Sequence, residues 1–383
     1  MQRRDFLALG LGGCAAGLYP SLASPFGWQS SVARRPPAFS VVPVVGDGRW
    51  IWRGPPADQT GYLEPRSYSL DVGIEMEGLG GATEILSTTT VPVEHPEQKI
   101  EDVQIETRGC EAALRMLAPG AGQLVVSAGQ IAKGQIISAV AHFKLTLKKE
   151  YHAYSPEQFP LKQKLPLEVE RAFLQDSPGI QTKAAQVRAL ARELAGEAMT
   201  ADGAPSKHPW DIARAFAAWI PKNIRPQIGS YTSVTACVDD RRGDCEEMAG
   251  LFVAMCRVLE IPARLVWVPN HVWAEFFLVD RDGAGHWIPA HTACYFWFGY
   301  NGAHELVLQK GDRVEAPEQH KRLRLLEDWT RWQGRGPRIR YTGKLLPLAG
   351  NTGEDAGPGG REKDATGEWK VTGDHPQNRY IRR

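Results

Sequence analysis

One stretch of sequence constrains the fold more than any other, and it runs from Gly243 to Arg264. The glycine is followed by an aspartate, a cysteine and two glutamates, and then by apolar residues at intervals of three and four. That spacing predicts an amphipathic helix with one buried face. Asp244 and Glu247 have the spacing of a capping box, so the helix is expected to begin at Cys245. The positive end of the helix dipole is expected to favour the thiolate at that position.

Three short strands are predicted after this helix. Arg264–Val268 is the first, and a Pro-Asn turn leads into HVWAEFFLVD, whose period of two places His271 and Trp273 on one face. After a segment rich in turn formers, the third strand ends at His291 and pairs with the second as a meander. His291 is therefore expected to lie alongside His271. A cysteine, a histidine and a group that orients the histidine are the components of thiol catalysis.

The motifs GDCEEMAGLFVAMCRVLEIPAR, HVWAEFFL and HWIPAH, in that order, resemble the transglutaminase-like superfamily of papain-type cysteine enzymes over roughly residues 225–310. The resemblance implies that Cys245 is the nucleophile and His271 the base. Members of the family usually carry an aspartate as the third residue, and this chain has His291 in that place. A neutral imidazole accepts a hydrogen bond from His271, but it does not stabilise an imidazolium as a carboxylate does.

Other residues are candidates for supporting roles. The backbone amide of Cys245 is the expected donor to a developing oxyanion, and Gln227, Tyr231 and Trp273 are further candidates for an oxyanion donor or a pocket. Glu275 shares a strand face with His271 and is interpreted as structural.

Two other functions remain open at this point. The missing aspartate at position 291 is compatible with a catalytically inert module that binds peptide or glycan. The second alternative is a zinc-binding protein in which Cys245, His271 and His291 are the ligands, although the chain lacks the closely spaced ligand pairs of zinc signatures. The prediction is accordingly that no metal and no cofactor is needed, and that the reaction is acyl transfer from an amide, as a peptidase, amidase or acyltransferase.

The predicted fold class is α+β, with an N-terminal β-sandwich-like domain followed by a papain-like transglutaminase core. Strands separated by turn clusters predict the sandwich over residues 66–150, after an irregular linker at 24–65. The catalytic domain is placed at 151–345, and a Gly-rich, charged segment at 346–383 predicts a disordered tail.

Within the second domain, apolar spacing predicts helices near residues 182–199 and 209–223. Residues 321–340 combine many cationic side chains with Trp329 and Trp332, and they are interpreted as a solvated surface helix and loop rather than a nucleic-acid site. The charge balance supports that choice, because 45 basic residues against 44 acidic ones give a formal net charge of +1. A chain with no basic field is not expected to bind nucleic acid.

The first residues resemble a twin-arginine export signal. Arg3 and Arg4 precede an apolar, glycine-rich run, and small residues follow, so a signal peptide is predicted over residues 1–23. The run is too short to span a membrane, although Leu-Gly-Gly before Cys14 offers a lipid anchor as an alternative. The expected location is the periplasm or cell envelope, and the expected partner is a peptide or protein substrate there.

Overall fold

The computed structural model describes residues 28–31, 59–227, 232–269, 271–293, 297–348, 361–363 and 369–371. Its helices are α1 (Leu167–Phe173), α2 (Ala185–Gly196), α3 (Pro209–Asn223), α4 (Val234–Asp240) and α5 (Cys245–Val258). Its strands are β1 (Trp28–Ser31), β2 (Gly61–Glu77), β3 (Ala82–Val91), β4 (Gln98–Arg108), β5 (Glu111–Leu117), β6 (Ala121–Ile131), β7 (Ile136–Tyr151), β8 (Arg225–Pro226), β9 (Arg242–Gly243), β10 (Ala263–Val268), β11 (His271–Val279), β12 (Gly285–His291), β13 (Trp297–Phe298), β14 (Tyr300–Asn301), β15 (Gln309–Lys310), β16 (Val314–Ala316), β17 (Lys321–Leu323), β18 (Trp329–Gln333), β19 (Arg338–Pro347), β20 (Arg361–Lys363) and β21 (Trp369–Val371).

Two β-sheets packed face to face form the N-terminal part of the structure. β2 and β7 are antiparallel neighbours from the Gly61–Tyr151 pair to the Glu77–Ile136 pair. Alternate residues of β2 are buried against apolar side chains of β3 and β6 in the opposite sheet. Alternation of this kind puts one face of each strand into the core. The predicted α+β class and the β-rich N-terminal region are confirmed.

One sheet continues from this sandwich into the region that carries the candidate site. Its strand order is β1, β18, β3, β6, β15, β10, β11, β12 and β13, with β5 also paired to β6. The short β15 makes the connection, because Gln309 pairs with Ala121 of β6 on one side and with Trp267 of β10 on the other. The meander predicted for β10, β11 and β12 is present with the expected antiparallel pairing.

The C-terminal part of the chain returns to the N-terminal sheets. β18 pairs with β3, and β19 pairs with β2 from Arg338 opposite Glu77 to Pro347 opposite Tyr68. The surface helix predicted within residues 321–340 is therefore wrong, since this segment contains β17, β18 and the start of β19. The alternation of Arg338, Ile339, Arg340 and Tyr341 has the period of a strand, and pairing with β2 satisfies its backbone groups.

A second hydrophobic core surrounds α5. Helices α2, α3 and α4 pack on α5, which in turn packs on β10 and β11. α3 has the predicted bounds, whereas α2 is shorter than predicted, and α1 and α4 were not predicted. Every residue of α5 from Cys245 to Arg257 is buried, so this helix is the centre of the core rather than an amphipathic helix with one buried face.

Several predictions concern segments at the two ends of the chain. The predicted signal at residues 1–23, including Cys14, lies outside the described residues. The predicted linker at 24–65 contains β1 and the start of β2, and the predicted tail at 346–383 contains β20 and β21. The proposed boundary at residue 345 falls inside β19. Among the described residues, no helix is long and apolar enough to cross a membrane.

Candidate active site

Cys245 is the first residue of α5, and a capping box fixes that helix end as predicted. The Asp244 carboxylate accepts hydrogen bonds from the amides of Glu246 at 2.8 Å and Glu247 at 3.4 Å. In return, the Glu247 carboxylate accepts the amide of Asp244 at 2.8 Å. These bonds satisfy amide donors that a helix start otherwise leaves unpaired. The backbone of Cys245 is thereby fixed at the start of the helix.

The chain enters this helix through a narrow passage that only glycine fits. A Cβ placed on Gly243 would lie 2.7 Å from the Cβ of Glu247 and 3.2 Å from the Sγ of Cys237. The first distance is shorter than real Cβ contacts, so a larger residue would displace the capping glutamate. On its other side, Gly243 belongs to β9, which pairs in parallel with β8.

Three carboxyl groups crowd the first turn beside Cys245. Asp244, Glu246 and Glu247 are all buried. Burial, followed by the hydrogen bond to Glu247 and its charge, raises the pKa of Asp244 to about 8. Burial is also the main cause that raises the pKa of Glu246 to about 7, opposed by an ion pair with Arg324. The positive end of the helix dipole favours a thiolate at Cys245, whereas these carboxyl groups oppose it at any pH at which they are ionised.

His271 and His291 lie on the same face of the meander, as predicted. Their rings are nearly parallel, with an angle of 24° and 6.1 Å between centroids. His291 also stacks on Trp273 at 4.7 Å and meets the edge of Trp297 at 5.0 Å. This enclosure leaves His291 only 1% exposed. Burial, and then the charge of His271, hold the pKa of His291 well below its usual range, so His291 is neutral at physiological pH.

Glu275, further along the same face of β11, is buried and forms ion pairs with two cationic side chains. Arg264 donates to its carboxylate at 2.7 Å, and Lys310 donates to it at 2.6 Å. Lys310 also pairs with Glu97 at 2.6 Å, which connects β11 and β15 to the turn before β4. The ionised form of Glu275 is held by these two cations against the cost of burial. The interpretation of Glu275 as structural agrees with these contacts.

The three residues predicted as candidates for an oxyanion donor or a pocket differ in where they lie. Gln227 lies next to the helix start, where its amide donates to Gly243 at 2.9 Å and its side-chain oxygen accepts from Arg242 at 3.3 Å. Tyr231 lies outside the described residues. Trp273 is buried, and no acceptor among the described residues reaches its Nε1. Trp273 thus retains a donor in contact with His291.

Cys245 belongs to the core cluster that also contains Val272 and Ala290, the residues adjacent in sequence to His271 and His291. The cysteine is 2% exposed. A buried thiol at a capped helix start, with histidines on the sheet against which that helix packs, has the components for nucleophilic catalysis. Within the described part of the chain, no cluster of three or more His, Cys, Asp or Glu side chains is arranged to hold a metal ion.

Arg324 is the site residue that the sequence did not reveal. It follows β17, and its guanidinium pairs with the carboxylate of Glu246, the residue next to Cys245. The contact joins residues that are far apart in the sequence, so no local pattern identifies it. The only signal was the cationic composition of residues 321–340, which was interpreted as solvated surface.

Comparison with known proteins identifies the domain that holds these residues. Residues 179–292 match the family model of the transglutaminase-like superfamily. The matched segment includes Cys245, His271 and His291. No curated protein gave a match.

Two solved structures are similar in part to this chain. One is a protein from Cytophaga hutchinsonii described as a candidate cysteine protease, with 16% identity, a TM-score of 0.48, and coverage of 76% of this chain and 93% of that one. The other is a candidate protease from Parabacteroides distasonis, with 12% identity, a TM-score of 0.24, and coverage of 57% and 42% respectively.

Proposed function

We propose that this protein is a cysteine enzyme that acts on amide bonds of peptides or proteins through a thioester intermediate. The observation that carries the proposal is the position of Cys245. It is the first residue of a capped, buried helix inside the transglutaminase-like segment, and that helix packs on the strand that begins with His271. Nucleophilic cysteines need such a fixed position and a base on a neighbouring element.

In the proposed reaction, His271 accepts the proton of the Cys245 thiol, and the thiolate attacks the carbonyl carbon of the amide. The oxyanion is stabilised by the Cys245 amide, with Trp273 Nε1 as the candidate second donor. The tetrahedral intermediate breaks its C–N bond while His271 returns the proton to the leaving amine. A water or a primary amine then attacks the thioester and releases the thiol, which gives hydrolysis or transamidation.

His291 takes the orienting role in this proposal through its ring contact with His271 and its stack on Trp273. Because His291 is neutral, it fixes the direction of the His271 ring without stabilising the imidazolium. A carboxylate in this place would do both. The proposed catalyst therefore depends more on geometry than on charge at its third residue.

The same residue supports one alternative, an inert transglutaminase-like module that binds peptide or glycan. A neutral, deeply buried histidine in place of the usual carboxylate removes one source of catalytic stabilisation. An enzyme and a binder are separated by Cys245→Ala, because turnover requires the thiol and binding does not.

The experiment that tests the proposal presents the protein with a glutamine-containing protein substrate, with and without a fluorescent primary amine. Incorporation of the amine indicates transamidation, and ammonia or new amino termini without incorporation indicate amide or peptide hydrolysis. Both are expected to disappear in Cys245→Ala and His271→Ala. Turnover that persists in Cys245→Ala would contradict the proposed nucleophile.

We also propose export through the twin-arginine route and two domains divided near residue 150. Cell fractionation of the full chain and of Arg3→Lys/Arg4→Lys tests the first, since retention of the variant in the cytoplasm is expected. Accumulation of both proteins in the same compartment would argue against it. For the second, two hydrophobic cores rather than two separable fragments are expected: β7 ends at Tyr151, and β19 returns to pair with β2, so cleavage just after β7 should leave the two fragments associated under native conditions.

A further inference from the structure

The ion pair between Arg324 and Glu246 lies at the start of the helix that carries Cys245. The Glu246 side chain is 11% exposed and that of Arg324 is 23% exposed, so the contact is largely shielded from water. An ion pair in such surroundings is screened less than one on the surface. Arg324 also lies beyond residues 179–292, so it is contributed by a part of the chain outside the transglutaminase-like match.

The segment that delivers Arg324 is held by buried hydrogen bonds. The side chain of Gln309 donates to the carbonyl of Arg324 at 2.7 Å and accepts the amide of Leu326 at 3.0 Å. Thr90 donates to the carbonyl of Leu326 at 3.1 Å. Gln309 itself is fully buried between β6 and β10. These contacts show that Arg324 extends from a fixed backbone rather than from a free loop.

We propose that Arg324 is a positioning residue that neutralises Glu246 and so maintains the thiolate form of Cys245. This inference rests on the proposed function, because a thiolate matters only if Cys245 is the nucleophile. The reason is electrostatic. Arg324 attracts a thiolate at Cys245 directly, and above the raised pKa of Glu246 it also offsets the repulsion between that carboxylate and the thiolate, which burial keeps water from screening.

The charge balance around Cys245 includes groups from several elements. Asp244 and Glu247 add two more buried carboxyls from the helix cap and first turn. On the neighbouring elements, Asp240 ends α4 and Arg241 follows it, where their charges act on Cys237, Arg242 lies on β9, and His271 and His291 lie on β11 and β12. Arg324 is the cation in direct contact with a carboxylate of this turn.

Four proteins test the inference: the wild type, Arg324→Gln, Glu246→Gln and the double variant. The thiolate of Cys245 is followed by its ultraviolet absorbance from about pH 5 to about pH 10, after subtraction of the matching Cys245→Ala protein. Loss of Arg324 is expected to raise the thiol pKa by at least about 1 unit, which is the effect of a unit charge about 12 Å away at an effective dielectric constant of about 20. Loss of Glu246 is expected to lower it, and the double variant is expected to lie near the wild type.

Arg322→Gln is the matched control, because Arg322 is an exposed arginine of the same segment. It is expected to leave the thiol pKa unchanged, and Arg324→Lys is expected to restore part of the wild-type value. Equal thiol pKa values in Arg324→Gln and the wild type, with both folded by circular dichroism, would overturn the inference. If Arg324→Gln does not fold, Glu246→Gln still decides, since an unchanged thiol pKa there would equally overturn it.

The inference and the proposed function fail in distinguishable ways. The order of the four thiol pKa values reports the effect of Arg324 whether or not Cys245 turns over a substrate. If the protein shows that order but no activity, the electrostatic role of Arg324 is supported and the proposed enzymatic function is not. If the protein is active but the order is absent, the enzymatic function is supported and the role of Arg324 is not.

Discussion

Replacement of Asp312 by alanine should destabilise the protein far more than a surface substitution, because it leaves a buried guanidinium without its counter-ion. Arg257, in the last turn of α5, donates to both oxygens of Asp312 at 2.9 and 2.8 Å. Both side chains are 1% exposed. A buried charge that loses its partner costs about 3–5 kcal/mol of unfolding free energy.

The double variant Arg257→Met/Asp312→Leu is expected to be more stable than Asp312→Ala, although it removes more of the network. It eliminates both charges and refills most of the volume. Its remaining cost arises because the buried carbonyl of Ala263 loses the donor that Arg257 supplies at 2.7 Å, whereas Gln175, whose carbonyl accepts from Arg257 at 2.9 Å, is exposed and can bond to water instead. An unsatisfied buried acceptor costs about 1–3 kcal/mol.

The assay is urea unfolding monitored by tryptophan fluorescence and circular dichroism, with the free energy of unfolding compared across variants. Arg338→Ala is the control, because its ion pair with Glu77 is on the surface and should contribute less than about 1 kcal/mol. A double variant as unstable as Asp312→Ala would refute the argument. So would an Asp312→Ala protein that loses less than about 1 kcal/mol.

Two further predictions concern Gly243 and Glu150. Gly243→Ala places a methyl group 2.7 Å from the Cβ of Glu247 and should lower the free energy of unfolding in urea by about 1–3 kcal/mol. Gly196→Ala is the control, because open space surrounds Gly196 and the free energy of unfolding should not fall. Equal losses in the two variants would contradict this prediction. Burial raises the pKa of Glu150 from 4.5 to about 7, so its contribution is most favourable below pH 4.5 and is lost as the pH rises towards 7. Relative to Glu150→Gln, the wild type should lose on the order of 3 kcal/mol of unfolding free energy between those pH values, and a constant difference between the two proteins would refute the assignment.

The elements around the site could be predicted because their signals are local. Asp244 and Glu247, which are three residues apart, predicted the start of α5 as a capping box. The alternation of residues in β11 predicted which of them share a face with His271. Short-range patterns of this kind depend on backbone geometry that neighbouring residues determine. The juxtaposition of His271 and His291 followed from the meander alone.

What the sequence did not reveal depends on contacts between distant segments. The pairing of β19 with β2 has no local signal, because the two strands lie near opposite ends of the chain. The role of Arg324 was missed for the same reason, because an arginine in a cationic segment has the same local pattern whether it is solvated or paired with a buried carboxylate. Burial decides between these, and burial is a property of the folded chain.

The most direct test of the account is the pH dependence of Cys245 alkylation by iodoacetamide, measured by mass spectrometry in the wild type and in His271→Ala. The wild-type thiol is expected to react well below the free-cysteine pKa of about 8.5, and His271→Ala is expected to lose that reactivity. A thiol with ordinary reactivity that is the same in both proteins would contradict a catalytic pair formed by Cys245 and His271.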